Sequence, residues 1–122
     1  MTRFRTQALS VAAVLASSAI LLPAAQADSE GAAMLEDGKK LAFTRAQGNC
    51  LACHYIEGGE SPGTIGPPLV AMQARYPDKA ALRAQIWDPA LANPETSMPP
   101  FGRNLILSED EIDKVVEFIW AL

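Results

Sequence analysis

The sequence is poor in the side chains that bind metal ions through nitrogen or sulfur. Its 122 residues include only two cysteines and one histidine. A structural zinc site takes four such ligands, so three residues cannot supply one. A disulfide between the two cysteines remains as a structural alternative to a ligand-binding role for them.

The chain also lacks an apolar run long enough to cross a membrane. Residues 8–22 are apolar but fall short of the roughly 20 residues that a spanning helix needs. Arg3 and Arg5 precede this run, and Ala25-Gln26-Ala27 follows it as a small-x-small cleavage pattern. We predict that residues 1–27 are a signal peptide, cleaved after Ala27, with an uncleaved anchor as the alternative.

The expected mature chain, residues 28–122, is a single domain in the periplasm with no membrane span. No cysteine precedes Cys50, which excludes a lipid anchor on a cysteine near the cleavage site.

Basic residues are few. The chain has 10 Lys and Arg against 14 Asp and Glu, and loss of Arg3 and Arg5 would move the net charge from −4 to −6. Such an acidic surface argues against nucleic acid or an anionic membrane as a partner. It is compatible with a basic protein partner without requiring one.

The scarce metal-binding residues are all concentrated in one short run, Cys50-Leu51-Ala52-Cys53-His54. Cys-x-x-Cys-His is the attachment motif of c-type haem, in which two thioether bonds hold the porphyrin and the imidazole ligates the iron. A thioredoxin-like cysteine pair would need a βαβ scaffold, and strand-like runs are scarce here. We therefore predict one covalent haem c, held by Cys50, Cys53 and His54. Export agrees with this, because c-type haem is attached outside the bacterial cytoplasm.

The remaining pattern predicts an all-α fold of short helices around the haem. Residues 28–47 have helical spacing of apolar positions, residues 69–76 suit a short helix, and Asp78 is the expected N-cap of a helix that ends at Asp88. Ser108 and Glu111 form a capping box. The helix that follows has an apolar face made of Ile112, Val115, Val116, Ile119 and Trp120.

Two segments rich in glycine and proline, residues 55–68 and 93–104, are predicted loops that form the walls of the haem site. With no second histidine, the sixth iron ligand must be a methionine or a lysine. Met98 lies before two prolines that stiffen its loop, whereas Met34 and Met72 fall on predicted helices and suit core packing. We predict Met98 as the ligand.

Two further residues are assigned roles beside the haem. A ligating imidazole usually donates its second N–H to an acceptor, and the carbonyl of Pro67 in Gly66-Pro67-Pro68-Leu69 is the expected one. The alternative for this segment is an ordinary turn. Trp87 either donates to a haem propionate through its indole N–H or is simply part of the core.

The order of a helix, Cys50-Leu51-Ala52-Cys53-His54, Gly66-Pro67, Met98-Pro99 and a terminal helix resembles class I cytochromes c. The segments Ile65-Gly66-Pro67-Pro68-Leu69 and Ser97-Met98-Pro99-Pro100-Phe101-Gly102-Arg103 are similar to the SoxX family, the monohaem subunits of SoxAX complexes of sulfur-oxidising bacteria. Many class I members have a glycine and an aromatic residue four apart before the haem motif. Here Gly38 and Phe43 are five apart.

The resemblance implies a function. SoxAX complexes, which are L-cysteine S-thiosulfotransferases, oxidatively conjugate thiosulfate to a cysteine of the carrier SoxYZ. The sulfur chemistry is attributed to SoxA, and a SoxX subunit passes the electrons to a downstream acceptor. A SoxA-like cytochrome is therefore the implied heterodimer partner, and no catalytic residue is expected in this chain. The alternatives are a free-standing class I cytochrome c shuttle and a haem-based ligand sensor.

We expect the exposed haem edge to face that partner across a stable interface of more than about 1,000 Å². Leu51, Ile65 and Phe101 are its predicted apolar contributors, with packing on the haem of the same chain as the alternative for all three.

Overall fold

A computed structural model describes the backbone of residues 24–122 and the side chains of residues 28–122. The predicted signal peptide therefore lies almost entirely outside the described residues. The described range contains four α-helices and two 3-10 turns, and it has no strand, so the all-α prediction is confirmed. The elements in chain order are α1 (Ala24–Phe43), a 3-10 turn (Cys50–Ala52), α2 (Met72–Arg75), α3 (Lys79–Trp87), a second 3-10 turn (Pro89–Leu91) and α4 (Glu109–Trp120).

The terminal helix α4 begins where its capping box predicts. The backbone N–H of Glu111 donates to Ser108 Oγ at 3.3 Å, and the backbone N–H of Ser108 donates to Glu111 Oε2 at 2.8 Å. These bonds satisfy donors that the first turn of a helix leaves free. The predicted apolar face is buried at Ile112, Val115, Val116 and Ile119, whereas Trp120 is half-buried.

Helices α1 and α4 pack closely against each other. A side chain on Gly38 would overlap the backbone carbonyl of Lys114, so glycine permits the approach of the two helices. One turn later Ala42 is fully buried. The rings of Phe43 and Phe118 meet edge to face, with centroids 5.9 Å apart and planes at 80°. A small residue is therefore used at both Gly38 and Ala42, and the aromatic contact comes from Phe43.

Helix α1 ends four residues earlier than predicted. The backbone N–H of Gly48 reaches back to the carbonyl of Leu41 at 3.1 Å, and the intervening residues form a turn. This turn brings the chain from the end of α1 to the haem motif. Met34, expected to pack in this helix, is instead 37% exposed.

The central helices are short. Asp78 caps α3 as predicted, since its Oδ1 accepts from the backbone N–H of Ala81 at 2.8 Å. Leu82 and Ile86 on α3 are buried against the rest of the core. The predicted loops, residues 55–68 and 93–104, contain no helix or strand. Within the described residues, no helix is long and apolar enough to cross a membrane.

Candidate haem site

A cavity of about 460 Å³ lies between the haem motif, the two loops, α3 and α4. Its size is within the range of about 300–1,000 Å³ that is typical of ligand sites. The five residues predicted to bind haem all line it: Cys50, Cys53, His54, Pro67 and Met98. The floor is apolar and is formed by Leu82, Ile86, Phe101, Leu107, Val115 and Ile119. An apolar cavity edged by thiols, an imidazole and a thioether suits a porphyrin with iron at its centre.

The haem motif is held in a tight turn. Asn49 has a left-handed backbone, with φ of 49°, and starts the 3-10 turn. The backbone N–H groups of Cys53 and His54 both donate to the carbonyl of Cys50, at 3.2 and 2.9 Å. A turn of this kind places side chains three positions apart on the same side. Both thiols and the imidazole therefore reach the same cavity.

The imidazole of His54 is oriented by the next loop. Its Nδ1 lies 2.7 Å from the carbonyl oxygen of Pro67, which is the contact expected from the sequence. With the proton on Nδ1, the other ring nitrogen, Nε2, carries a free lone pair. The backbone N–H of Gly66 donates to the carbonyl of Cys53 at 2.8 Å, and a side chain at Gly66 would collide with the His54 ring. The loop therefore leaves the imidazole little freedom to turn.

The two cysteines are free thiols in this structure. Burial raises the pKa of the Cys50 thiol to about 11, because the thiolate would lose its hydration, and the neighbouring Cys53 adds a smaller upward contribution. A backbone hydrogen bond partly offsets this rise in the pKa.

Met98 faces the cavity from the second loop. Its backbone N–H donates to Thr96 Oγ1 at 3.2 Å, and Pro99 and Pro100 follow it. Among the methionines of the described residues, Met98 alone lines the cavity. Met72 is 2% exposed and belongs to the core, as expected. No lysine of the described range lines the cavity.

The loop that carries Met98 is attached to the end of α3. The backbone N–H of Phe101 donates to the carbonyl of Ile86 at 3.3 Å, and that of Gly102 donates to the carbonyl of Trp87 at 3.1 Å. Gly102 lies so close to the Trp87 ring that a side chain there would overlap it. Trp87 is not among the residues that line the cavity, so the structure favours its packing role over a propionate contact.

An ion pair that the sequence did not predict reinforces this attachment. Asp88 is 6% exposed, and its Oδ2 accepts from Arg103 Nη1 at 2.9 Å. Its other oxygen accepts from the backbone N–H of Ala90 at 3.2 Å and caps the second 3-10 turn. The pair joins the end of α3 to the end of the Met98 loop. In the sequence, the only sign of this ion pair is that Asp88 is a polar residue before a proline. That position does not indicate a partner 15 residues away.

The comparisons with known proteins agree with this geometry. The family model for cytochrome c matches residues 35–122. The chain belongs to the cytochrome c family. A chain in the crystal structure of SoxXA from P. pantotrophus is 31% identical, with a TM-score of 0.63 over 70% of this chain and 78% of that one. No match was found among curated protein sequences.

The site is therefore that of a c-type cytochrome with one covalent haem c, in a class I fold that resembles SoxX. Cys50 and Cys53 have the spacing typical of haem attachment. When bound, the haem supplies an iron that takes up and releases one electron. The protein is an electron-transfer cytochrome.

One predicted surface residue is placed differently by the structure. Phe101, expected on a partner-binding face, is 7% exposed and packs in the core beneath the cavity. Leu51 is half-buried and also contacts the core. Ile65 remains a candidate for the partner-binding face, since it lines the cavity and is 74% exposed. The Phe101 prediction was wrong because the backbone bond to Ile86 turns that segment inward.

Proposed function

We propose that this chain is the electron-accepting subunit of a SoxAX-type complex, with a SoxA-like cytochrome as its partner. The observation that carries the proposal is the convergence of Cys50, Cys53, His54 and Met98 on one cavity, in a chain that is similar to part of SoxXA. This set of side chains can hold a haem from both faces and leaves no other chemistry at the site.

Each residue then has a distinct role. Cys50 and Cys53 would hold the porphyrin through thioether bonds, and His54, oriented by the carbonyl of Pro67, would ligate the iron. Met98 would supply the second protein ligand to the iron. A thioether ligand raises the reduction potential compared with a second nitrogen ligand. With His54 and Met98 both bound to it, the iron would have no position open to a substrate, and the haem would take up and release electrons.

The reaction served by the complex is an oxidation. The cysteine thiolate of a SoxYZ-type carrier bonds to the sulfane sulfur of thiosulfate, which forms a carrier–S–S–SO₃⁻ adduct and releases two electrons. A monohaem subunit carries one electron at a time, so each conjugation requires two successive transfers through this chain. A downstream electron acceptor reoxidises it after each one. The bond-forming chemistry belongs to the partner.

The location follows from the N-terminal segment. We propose export to the periplasm and cleavage after Ala27, which would leave residues 28–122 as the mature domain. The basic start, the short apolar run and the Ala25-Gln26-Ala27 pattern support this. N-terminal sequencing of the protein from the periplasmic fraction tests it, and a chain that begins at Met1 would contradict it.

The partner would dock where the haem cavity opens. Ile65 and Ile106 both line the cavity and are 74% and 42% exposed, which places them at its mouth. Leu105, which precedes Ile106 in the chain, is 84% exposed and has a left-handed backbone, with φ of 53°. That conformation costs a residue other than glycine about 1–2 kcal/mol. That a leucine with this backbone conformation is also exposed supports a binding role for this surface.

Co-purification tests the complex. The haem-loaded protein is expected to elute with a second cytochrome from the periplasm, and Ile65→Asp or Leu105→Asp to abolish this while leaving the absorption spectrum intact. Leu91→Asp is the control, since Leu91 is 82% exposed and neither it nor its sequence neighbours line the cavity, whereas Leu105 is next to Ile106, which does. A wild-type protein that elutes alone would favour the shuttle.

Electron transfer tests the role directly. In a mixture of thiosulfate, a SoxYZ-type carrier and the partner, the haem of this chain should become reduced only when all three are present. Carbon monoxide should bind slowly or not at all to the reduced protein, because Met98 fills the axial site. Rapid binding would instead indicate a ligand sensor.

A further inference from the structure

The cavity-facing side of α3 contains one polar residue. Leu82 and Ile86 are buried core residues at positions i and i+4 of the helix, and Gln85 at i+3 lies on the same stripe. Gln85 is half-buried and lines the haem cavity. A polar side chain among apolar neighbours requires a hydrogen-bond partner, because an unpaired amide loses its hydration without compensation.

The partner of Gln85 is Met98. The Gln85 Nε2 atom lies 4.0 Å from Met98 Sδ, and this is the only hydrogen bond of the Gln85 side chain within the described part of the chain. Both residues are held by the same element, because the Met98 loop bonds through its backbone to the carbonyls of Ile86 and Trp87. The helix therefore fixes the loop and also directs an amide at the sulfur.

We propose that Gln85 is a positioning residue that donates a hydrogen bond to the Met98 sulfur and raises the reduction potential of the haem. The inference rests on the proposed ligation of iron by Met98. A thioether sulfur has two lone pairs, so the one not directed at the metal can accept a hydrogen bond. A donor there withdraws electron density from the sulfur. The ligand then stabilises the ferric state less, and reduction becomes easier.

The neighbourhood of the sulfur favours Gln85 as this donor. Within the described residues, Gln85 is the one side chain that donates to Met98 Sδ, whereas Thr96 Oγ1 accepts from the backbone N–H of Met98. Leu82, Ile86 and Ile119, which line the same cavity, are apolar. An amide is also neutral at every physiological pH. The contact would therefore adjust the potential without making it depend on pH.

The test compares Gln85→Leu with Gln73→Leu in the haem-loaded protein. Gln73 is an exposed glutamine that donates to the carbonyl of Trp120 and does not line the cavity. In Gln85→Leu we expect the sulfur-to-iron absorption band to be retained but shifted in energy. We also expect the ratio of reduced to oxidised protein, at a fixed ambient potential, to fall at least threefold. For one electron a tenfold change corresponds to about 59 mV. Gln73→Leu should change neither quantity.

A direct contact can be observed in the reduced protein by nuclear magnetic resonance. The Gln85 side-chain amide protons should show a nuclear Overhauser effect to the Met98 methyl group, and they should exchange with water more slowly than those of Gln73. An unshifted band with an unchanged or raised ratio, together with no Overhauser effect, would overturn the proposal. If Met98 does not ligate the iron, the wild-type protein itself will lack the sulfur-to-iron band. That result distinguishes failure of the proposed ligation from failure of the proposal for Gln85.

Discussion

The two sides of the haem cavity are built in different ways. On the His54 side, the ligand and its supports lie close together in sequence: the motif turn, Gly66 and the Pro67 carbonyl are all within 17 residues of Cys50. On the Met98 side, the loop has local hydrogen bonds of its own, such as the one between Met98 and Thr96, but these do not attach it to the rest of the fold. Its position depends on bonds to Ile86 and Trp87 and on the pair between Asp88 and Arg103.

This difference has a physical consequence. The hydrogen bonds that orient His54 involve no residue of α3, so covalent attachment of the haem should keep this side in place when the contacts of α3 are lost. The Met98 side exists only when α3 is in place. Damage to α3 or to its contacts should therefore release Met98 and leave the His54 side attached.

The largest effect is expected from substitutions on the His54 side of the cavity. Cys50→Ala or Cys53→Ala removes one thioether, which leaves the porphyrin poorly anchored. In cells able to mature cytochromes c, the yield of covalent haem should fall at least tenfold. Mass spectrometry of the intact protein measures it, since the wild type should exceed its polypeptide mass by one haem. A wild-type mass equal to that of the bare polypeptide would contradict haem attachment.

The second-largest effect is expected from a substitution on the Met98 side alone. Met98→Ala should keep the covalent haem but lose the sulfur-to-iron absorption band and lower the reduction potential, because the thioether ligand is gone. Optical titration measures both. Met72→Leu is the matched control, since it changes a buried core methionine at similar volume. If Met72→Leu removed the band instead, the ligand assignment would be wrong.

A smaller effect is expected when a glycine is replaced by alanine on either side of the cavity. Gly66→Ala would press against the His54 ring, and Gly102→Ala against the Trp87 ring. Each should cost about 1–3 kcal/mol of unfolding free energy, the usual range for overpacking. The spectra should distinguish them: Gly102→Ala should weaken the sulfur-to-iron band, whereas Gly66→Ala should leave that band in place while disturbing the orientation of His54. Equal loss of the band in both would show that the two sides are not independent.

The smallest effect concerns the anchor between α3 and the Met98 loop. Asp88→Asn removes a buried charge that is bonded to Arg103, and a hydrogen bond of this kind contributes about 1.5–3 kcal/mol. Because Arg103 is 53% exposed, we expect the lower end of that range, measured by urea unfolding.

Glu117→Gln provides the control for this measurement. It breaks the more exposed pair with Lys79, and surface pairs contribute about 0–1 kcal/mol. Equal destabilisation by the two substitutions would show that burial of Asp88 adds nothing to the anchor.

The sequence predicted the elements whose causes are local. The capping box of Ser108 and Glu111, the Asp78 cap and the apolar face of α4 each depend on residues within three or four positions of one another. The prediction of a Pro67 carbonyl near His54 also depended on neighbours 13 residues apart and on the stiffness of a proline turn. These interactions are set by side-chain chemistry and spacing.

The predictions that failed depended on distant contacts. Met34 is an apolar residue on a helix and suited core packing, but it is 37% exposed, whereas Ala42 further along α1 is fully buried. Phe101 seemed free to face a partner, yet its backbone bond to Ile86 directs it into the core. Gln85 and the pair of Asp88 with Arg103 gave no pattern to recognise, because neither contact belongs to a sequence motif and both depend on how the Met98 loop packs on α3.

The sequence by itself determined the cofactor and the family, because the five residues Cys50-Leu51-Ala52-Cys53-His54 contain both thiols and the imidazole of the haem attachment motif at the required spacing. It also determined the helical class through the period of its apolar residues. Only the tertiary structure decided how Met98 is held and which residue contacts its sulfur. That arrangement depends on how closely α3 approaches the Met98 loop, and such a distance arises from the packing of the whole core.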